Sequence, residues 1–95
     1  YAQKLITAGP WDMDTVDTFN VAHGIGSLWT KIKSWKIAII ANAGGAYPLD
    51  RAIGAGGVNN CDATNIQLYR AIGGGFDSAL YNNSTVHLTI EWTYS

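Results

Sequence analysis

Two histidines and seven carboxylates are the groups through which this chain could perform acid–base or metal chemistry, and their spacing restricts what they can do. His23 closes the run Phe19-Asn20-Val21-Ala22-His23 immediately before Gly24. An imidazole there could bind a ligand or a metal, but at the end of a strand and before a glycine it is better placed to bond a backbone group and fix a turn. His87 shares one strand face with Thr89 and Glu91, yet residues four apart on a strand lie about 13 Å from each other, too far to share an ion without further ligands. Asp12, Asp14 and Asp17 resemble the start of a calcium loop. The third alternating ligand is missing, because residue 16 is Val, and so is the glycine of the sharp turn. They are expected to cap their own turn instead. Asp77 and Glu91 could meet as the carboxylate pair of a glycosidase, but seven carboxylates offer such pairs by chance. No Ser-His-Asp spacing or nucleophile elbow is present, and no lysine follows Gly73-Gly74-Gly75 to make a phosphate loop. Neither enzymatic activity nor a metal or cofactor is expected.

The aromatic residues are the stronger candidates for recognition. Four tryptophans and five tyrosines combine large contact area with a polar tip. Trp35 and Trp92 stand in alternating apolar rows and are expected in the core. Trp11, Tyr47 and Tyr81 fall in expected loops or short edge segments, where they could stack on a sugar or touch another subunit, with Asp77 as a polar partner. Asn82-Asn83-Ser84-Thr85 holds two overlapping glycosylation sequons, which a polar hairpin loop explains without modification.

Composition bounds the partners. The 95 residues suit one domain, 1–95, whose core is small for its surface. Charged residues are 14% of the chain, against about 25% in ordinary soluble domains. So few charges cover a lone domain poorly and suit an oligomer interface, with a monomer coated by Thr, Asn and Ser as the alternative. Six basic against seven acidic residues leave no basic face for nucleic acid. Lys31, Lys33 and Lys36 would fall on both faces of a strand and blunt an edge. One cysteine, Cys61, allows no internal disulfide. No apolar run approaches the ~18 residues of a membrane span, and the start at Tyr1 reads as that of a fragment or processed chain.

These residues must be positioned by strands. Short alternating runs at Gln3–Ala8, Thr15–Ala22, Ile32–Ala41, Ile66–Ala71 and Thr85–Tyr94 are separated by Gly9-Pro10, Gly24-Ile25-Gly26 and the three glycines at 73–75. Tyr47-Pro48-Leu49 adds a possible short edge strand. Leu28-Trp29 could form a turn of helix, and Phe76, Leu80 and Tyr81 anchor a loop. The stretch from Ala46 to Asn60 carries no readable pattern. Gly74 and Gly75 are expected to serve a bend or a close backbone approach. The class is therefore all-β, a compact antiparallel β-sandwich of about six strands.

The run Phe19-x-Val21-Ala22-His23-Gly24-Ile25-Gly26, followed by Trp29 and Lys31-Ile32, resembles the C-terminal modules of bacteriophage tail fibres and receptor-binding proteins, which carry an HGLG turn after a strand. Gly74-Gly75-Phe76-Asp77-Ser78 and Leu88-Thr89-Ile90-Glu91-Trp92 are similar to their GGFFDS loop and WITIEY strand. This chain has Ile25 where Leu is usual and a single Phe after Gly75. The resemblance implies a virion or extracellular module that assembles as a homotrimer and contacts a host glycan. In strand count the chain is also similar to H-type lectins, a looser analogy. A structural or decoration protein with no ligand, and a free sugar-binding lectin, are the alternatives.

Overall fold

The computed structural model describes residues 2–42, 44–50 and 56–94. Among these residues seven strands form two antiparallel sheets. The larger has the order β1 (Ala2–Trp11), β7 (Ser84–Trp92), β3 (Ile32–Ile40), β4 (Ala46–Pro48). The smaller has the order β2 (Thr18–Ala22), β6 (Asn65–Arg70), β5 (Gly56–Cys61). Short 3-10 turns at Gly26–Lys31 and Ala79–Tyr81 connect them.

The sandwich forms because the central strands obey the period of two. Along β7, Val86, Leu88, Ile90 and Trp92 point inward and are buried; along β6, Ile66 and Leu68 do the same from the facing sheet. Val21, Ile39, Trp11, Met13, Leu49, Phe76 and Tyr81 complete the core. Burial of this apolar set is the main driving force, at roughly 1.5–3 kcal/mol per fully buried large side chain.

Several expectations are corrected. β1 does not stop at Gly9-Pro10: the register with β7 shifts between Ala8 and Trp11, and pairing resumes at Trp11↔Ser84. Gly9 makes this possible, with φ +136° and no room for a Cβ, which would sit 2.9 Å from the Ser84 carbonyl oxygen. Trp11 is therefore in a strand and not in a loop. β2 begins at Thr18 and not Thr15, because Asp12–Val16 is a closed turn in which Val16 N–H donates to the Asp12 carbonyl at 2.9 Å. β5 lies in the stretch without a readable pattern: Gly-Gly-Val-Asn-Asn-Cys has no alternation, and its ladder with β6 supplies what pattern does not. Gly56 lies against β6 so closely that a Cβ would be 2.6 Å from the Tyr69 carbonyl oxygen.

Burial also departs from the pattern at row ends. Trp35 belongs to the inward row of β3, opposite Ile90 on β7, but is 40% exposed, since the smaller sheet does not close over that corner. Tyr94, the end of the alternating run Thr85–Tyr94, lies beyond β7 and is exposed, edge-on to Trp92. Leu80, expected as a loop anchor, is exposed as well, while its neighbours Phe76 and Tyr81 are buried. Among the described residues no helix is long and apolar enough to cross a membrane.

Candidate functional site

The groups with chemical potential are, for the most part, committed to holding the chain. His23 continues the inward row of β2 after Val21 and is fully buried. Its Nδ1 accepts from Ile25 N–H at 3.2 Å, which leaves Nε2–H to donate to the Asp62 carbonyl at 2.9 Å. The ring thus ties the β2 turn to the β5–β6 hairpin, and no nitrogen is left for a ligand. Its own carbonyl accepts from Lys4 Nζ at 2.9 Å. Gly24 turns the chain there at φ +66°, a conformation that side-chain-bearing residues rarely adopt.

Asp62 shapes the hairpin on the other side of this tie. Its Oδ1 accepts from Asn65 N–H at 2.7 Å and Thr64 N–H at 2.8 Å. Those two donors, Asn65 first, hold its carboxyl below the usual carboxylate range. Burial, and secondarily the Asp62 charge, push the neighbouring Cys61 thiol up, which makes it a poor nucleophile.

A second polar cluster surrounds Arg70, which is 5% exposed at the end of the inward row Ile66, Leu68, Arg70. Nε donates to the Met13 carbonyl at 2.6 Å and Nη2 to the Asp14 carbonyl at 3.4 Å. Nη1 lies 3.4 Å from Asp77 Oδ2, which also accepts from Gly73 N–H at 2.7 Å. Arg70 escaped the sequence reading, although the same period that places Ile66 and Leu68 inside also places residue 70 there. Asp77, expected as a ligand contact, is this arginine's counter-ion. The glycine turn delivers it: Gly73 has φ +74°, and at Gly74 a Cβ would crowd the Ala71 Cβ at 3.0 Å. At Gly75 a Cβ would meet nothing, so nothing in the structure requires glycine there.

The aromatic candidates separate in the same way. Trp11 is 1% exposed, stacks on Phe19 at 5.4 Å between ring centroids, and donates from Nε1 to the Val16 carbonyl at 2.9 Å. Tyr81 is buried edge-on to Phe76 and Tyr47. Neither offers a ring face to a ligand, and the expectation of a glycan contact at these two residues is corrected. Tyr47 is half-buried on β4. Asp12 caps its own turn, accepting from Asp14 N–H, Thr15 N–H and Thr15 Oγ1. Asp77 and Glu91 have separate partners: Glu91 accepts from Ser34 Oγ at 3.1 Å on the outside of the larger sheet. Among the described residues no three of His, Cys, Asp and Glu gather to hold a metal ion.

What is left uncommitted is surface. On the outer face of the larger sheet, the register places Gln3, Glu91 and Ser34 in one row, then Leu5, Thr89 and Lys36, then Thr7, His87, Ala38 and Pro48, then Thr85, Ile40 and Ala46. His87 Nδ1 and Thr7 Oγ1 are hydrogen-bonded at 3.2 Å. Between β7, β3 and β4 this face is hollowed into a shallow depression of about 390 Å³, with Lys36, Ala38, Pro48, His87 and Thr89 in its lining. A second, more enclosed cleft of about 280 Å³ opens where the sheets part, between Trp35, Ile37, Pro48, Leu49 and Asp50 on one side and Gly57 and Val58 on the other.

Comparison with protein-family models, with curated proteins and with solved structures finds no match.

Proposed function

We propose that this chain is a non-catalytic assembly module, a homo-oligomer of the virion tail-fibre or receptor-binding kind, whose contact surface is the outer face of the larger sheet. The observation that supports this reading is the chemistry of that face. Its four rows carry Lys36, Glu91 and His87 as their ionisable groups, among Leu5, Ala38, Ile40, Ala46, Pro48 and a set of threonines. Small and β-branched side chains on a sparsely charged sheet desolvate at little cost and pack closely, whereas a face made only for water is richer in charge. A homotrimer is the arrangement the sequence resemblance implies, and a virion or extracellular location follows from the same resemblance.

The experiment is the oligomeric state of the intact chain at micromolar concentration, by native mass spectrometry or light scattering. A discrete oligomer is expected. Ala38→Lys, which adds a second cation beside Lys36, should dissociate it while the far-UV spectrum stays that of the wild type. A strict monomer, or an oligomer indifferent to A38K, overturns this choice of face.

Adhesion to a glycan has one feature in its favour, the half-exposed indole of Trp35 at the mouth of the 280 Å³ cleft with Asp50 at its rim. An indole face that stacks on a sugar ring, beside a carboxylate that accepts from its hydroxyls, is a common form of saccharide site. A glycan array that gives signal with the wild type and none with Trp35→Ala supports it; no signal with either removes adhesion and leaves assembly.

A further inference from the structure

The larger sheet ends on one side in β1, and that edge is open. From Ala2 to Ala8 the strand pairs residue for residue with β7, from Ala2↔Trp92 to Ala8↔Val86. Among the described residues β7 is the only strand paired with it, and no other backbone bond to this stretch is present. Half of its N–H and C=O groups therefore point away from the sheet. Burial shows the same incompleteness: Ile6 and Ala8 face the core but are only partly buried, while their β7 partners Leu88 and Val86 are fully covered. On the opposite side of the strand, Leu5 is 64% exposed.

Folded proteins blunt such edges with proline, with short strands or with charges. Here Pro10 lies beyond the free stretch, and β1 is the longest strand among the described residues. The stretch has a single charge, Lys4, whose ammonium is already held inward by the His23 carbonyl at 2.9 Å. A strand added outside would not strand that charge, so the usual guard is absent.

We infer that the free edge of β1 pairs antiparallel with β1 of a second copy, about a two-fold axis at Leu5, to make one continuous eight-stranded sheet. The register follows from the ladder. Over Ala2–Ala8 the antiparallel alignment of greatest overlap is centred on Leu5, which puts Leu5 opposite its symmetry mate, Lys4 opposite Ile6, Gln3 opposite Thr7 and Ala2 opposite Ala8. No like charges oppose each other, the exposed leucines cover one another, and Ile6 gains a neighbour on its open side. The chain's net charge of −1 adds little repulsion between copies. This inference rests on the assembly reading above only in taking a second copy as the partner, and it uses a different surface. A two-fold contact also predicts even-numbered species wherever the outer face alone would give odd ones.

Cysteine cross-linking tests the register directly, in a Cys61→Ser background so that no native thiol interferes. Directly opposed residues of an antiparallel pair have Cα atoms about 4.5–5.5 Å apart, within the range a disulfide spans. Leu5→Cys should oxidise to a covalent dimer, while Thr7→Cys should not, since its opposite residue is Gln3; Thr7→Cys mixed with Gln3→Cys should again cross-link. Leu5→Lys, at an exposed position, should keep the fold by circular dichroism and lose the even-numbered species. No cross-link at Leu5, or equal cross-linking of the Leu5 and Thr7 variants alone, overturns the inference. Should L5K leave assembly untouched while A38K abolishes it, the edge contact is wrong and the face reading stands. The reverse pattern keeps the edge contact and removes the face.

Discussion

Arg70 and Leu5 stand at opposite extremes of this sandwich. Arg70 is a long cation on an inward row, and each of its three nitrogens has an acceptor: Met13 O, Asp14 O and Asp77 Oδ2. Leu5 is a large apolar side chain on an outward row, beside backbone groups that lack a partner. A sheet of ordinary soluble type would be expected to reverse the two residues. The contrast shows where this chain uses its few charges. Arg70, Asp77, Asp12 and Asp62 fix turns and loop ends, and the outer face carries Lys36, Glu91 and His87 among weakly polar or apolar groups. Among the described buried side chains, the one polar atom with no partner is Trp92 Nε1. The interior is thus close to complete as a hydrogen-bonding system, and the incompleteness lies at the surface.

The largest loss is expected at Arg70. Arg70→Ala removes the cation, leaves the Met13 and Asp14 carbonyls without their donor, and leaves Asp77 without its counter-charge. Losing one partner of a buried pair costs roughly 3–5 kcal/mol, so urea unfolding should show a loss of that size. A loss under about 1 kcal/mol, typical of surface substitutions, would mean that the cluster is solvated and the contrast false. A38K on the outer face should fall in that small range even as it disperses the oligomer.

How much of this was legible in the sequence depends on what fixed each residue. Strands β2, β3, β6 and β7 were readable because one face of each is buried, and burial imposes a period of two. The same period covers His23 and Arg70, which continue the rows of Val21 and of Ile66 and Leu68. Arg70 carries no further signal of burial, because a charged residue on an inward row reads as the row's end, and only the fold shows the carbonyls that receive it. β5 and the second half of β1 were not legible, since both depend on long-range ladders: Gly56 fits against Tyr69 of β6, and Trp11 regains register with Ser84 across an irregularity at Gly9-Pro10. The candidate contacts Trp11 and Tyr81 failed for one reason. Loop position does not mean exposure here, because both rings fill the end of a small core that the sheets alone cannot close. Trp35 failed in the opposite sense, through an inward row that outruns the sheet covering it.

His23 tests the same contrast at a neutral group. His23→Ala deprives Ile25 N–H and the Asp62 carbonyl of their partners and opens a cavity in the β2 turn, a loss of about 2–4 kcal/mol by thermal or urea unfolding. Because Lys4 donates to the backbone carbonyl of residue 23 and not to the ring, its bond should survive. Two-dimensional spectra should therefore show changes concentrated in the β5–β6 hairpin and not along β1. Equal disturbance of both would make His23 a general packing residue instead of a tie between two elements.

The smallest effect belongs to Asp62, on the solvent side of that tie. Its carboxyl is held below the usual range in the folded chain by the N–H groups of Asn65 and Thr64. A carboxyl whose folded pKa is depressed contributes stability that is fully present above its unfolded value, about 3.9, and is lost as pH falls through the lower folded value. Stability should therefore fall with acid across that window. Asp62→Asn keeps an acceptor for both N–H groups, since asparagine caps such turns in the same way, but removes the titration. The variant should match the wild type near neutrality and show a shallower decline below pH ~4. A decline as steep as the wild type's would mean that the bonds from Asn65 and Thr64 N–H to this carboxyl do not set the acid sensitivity.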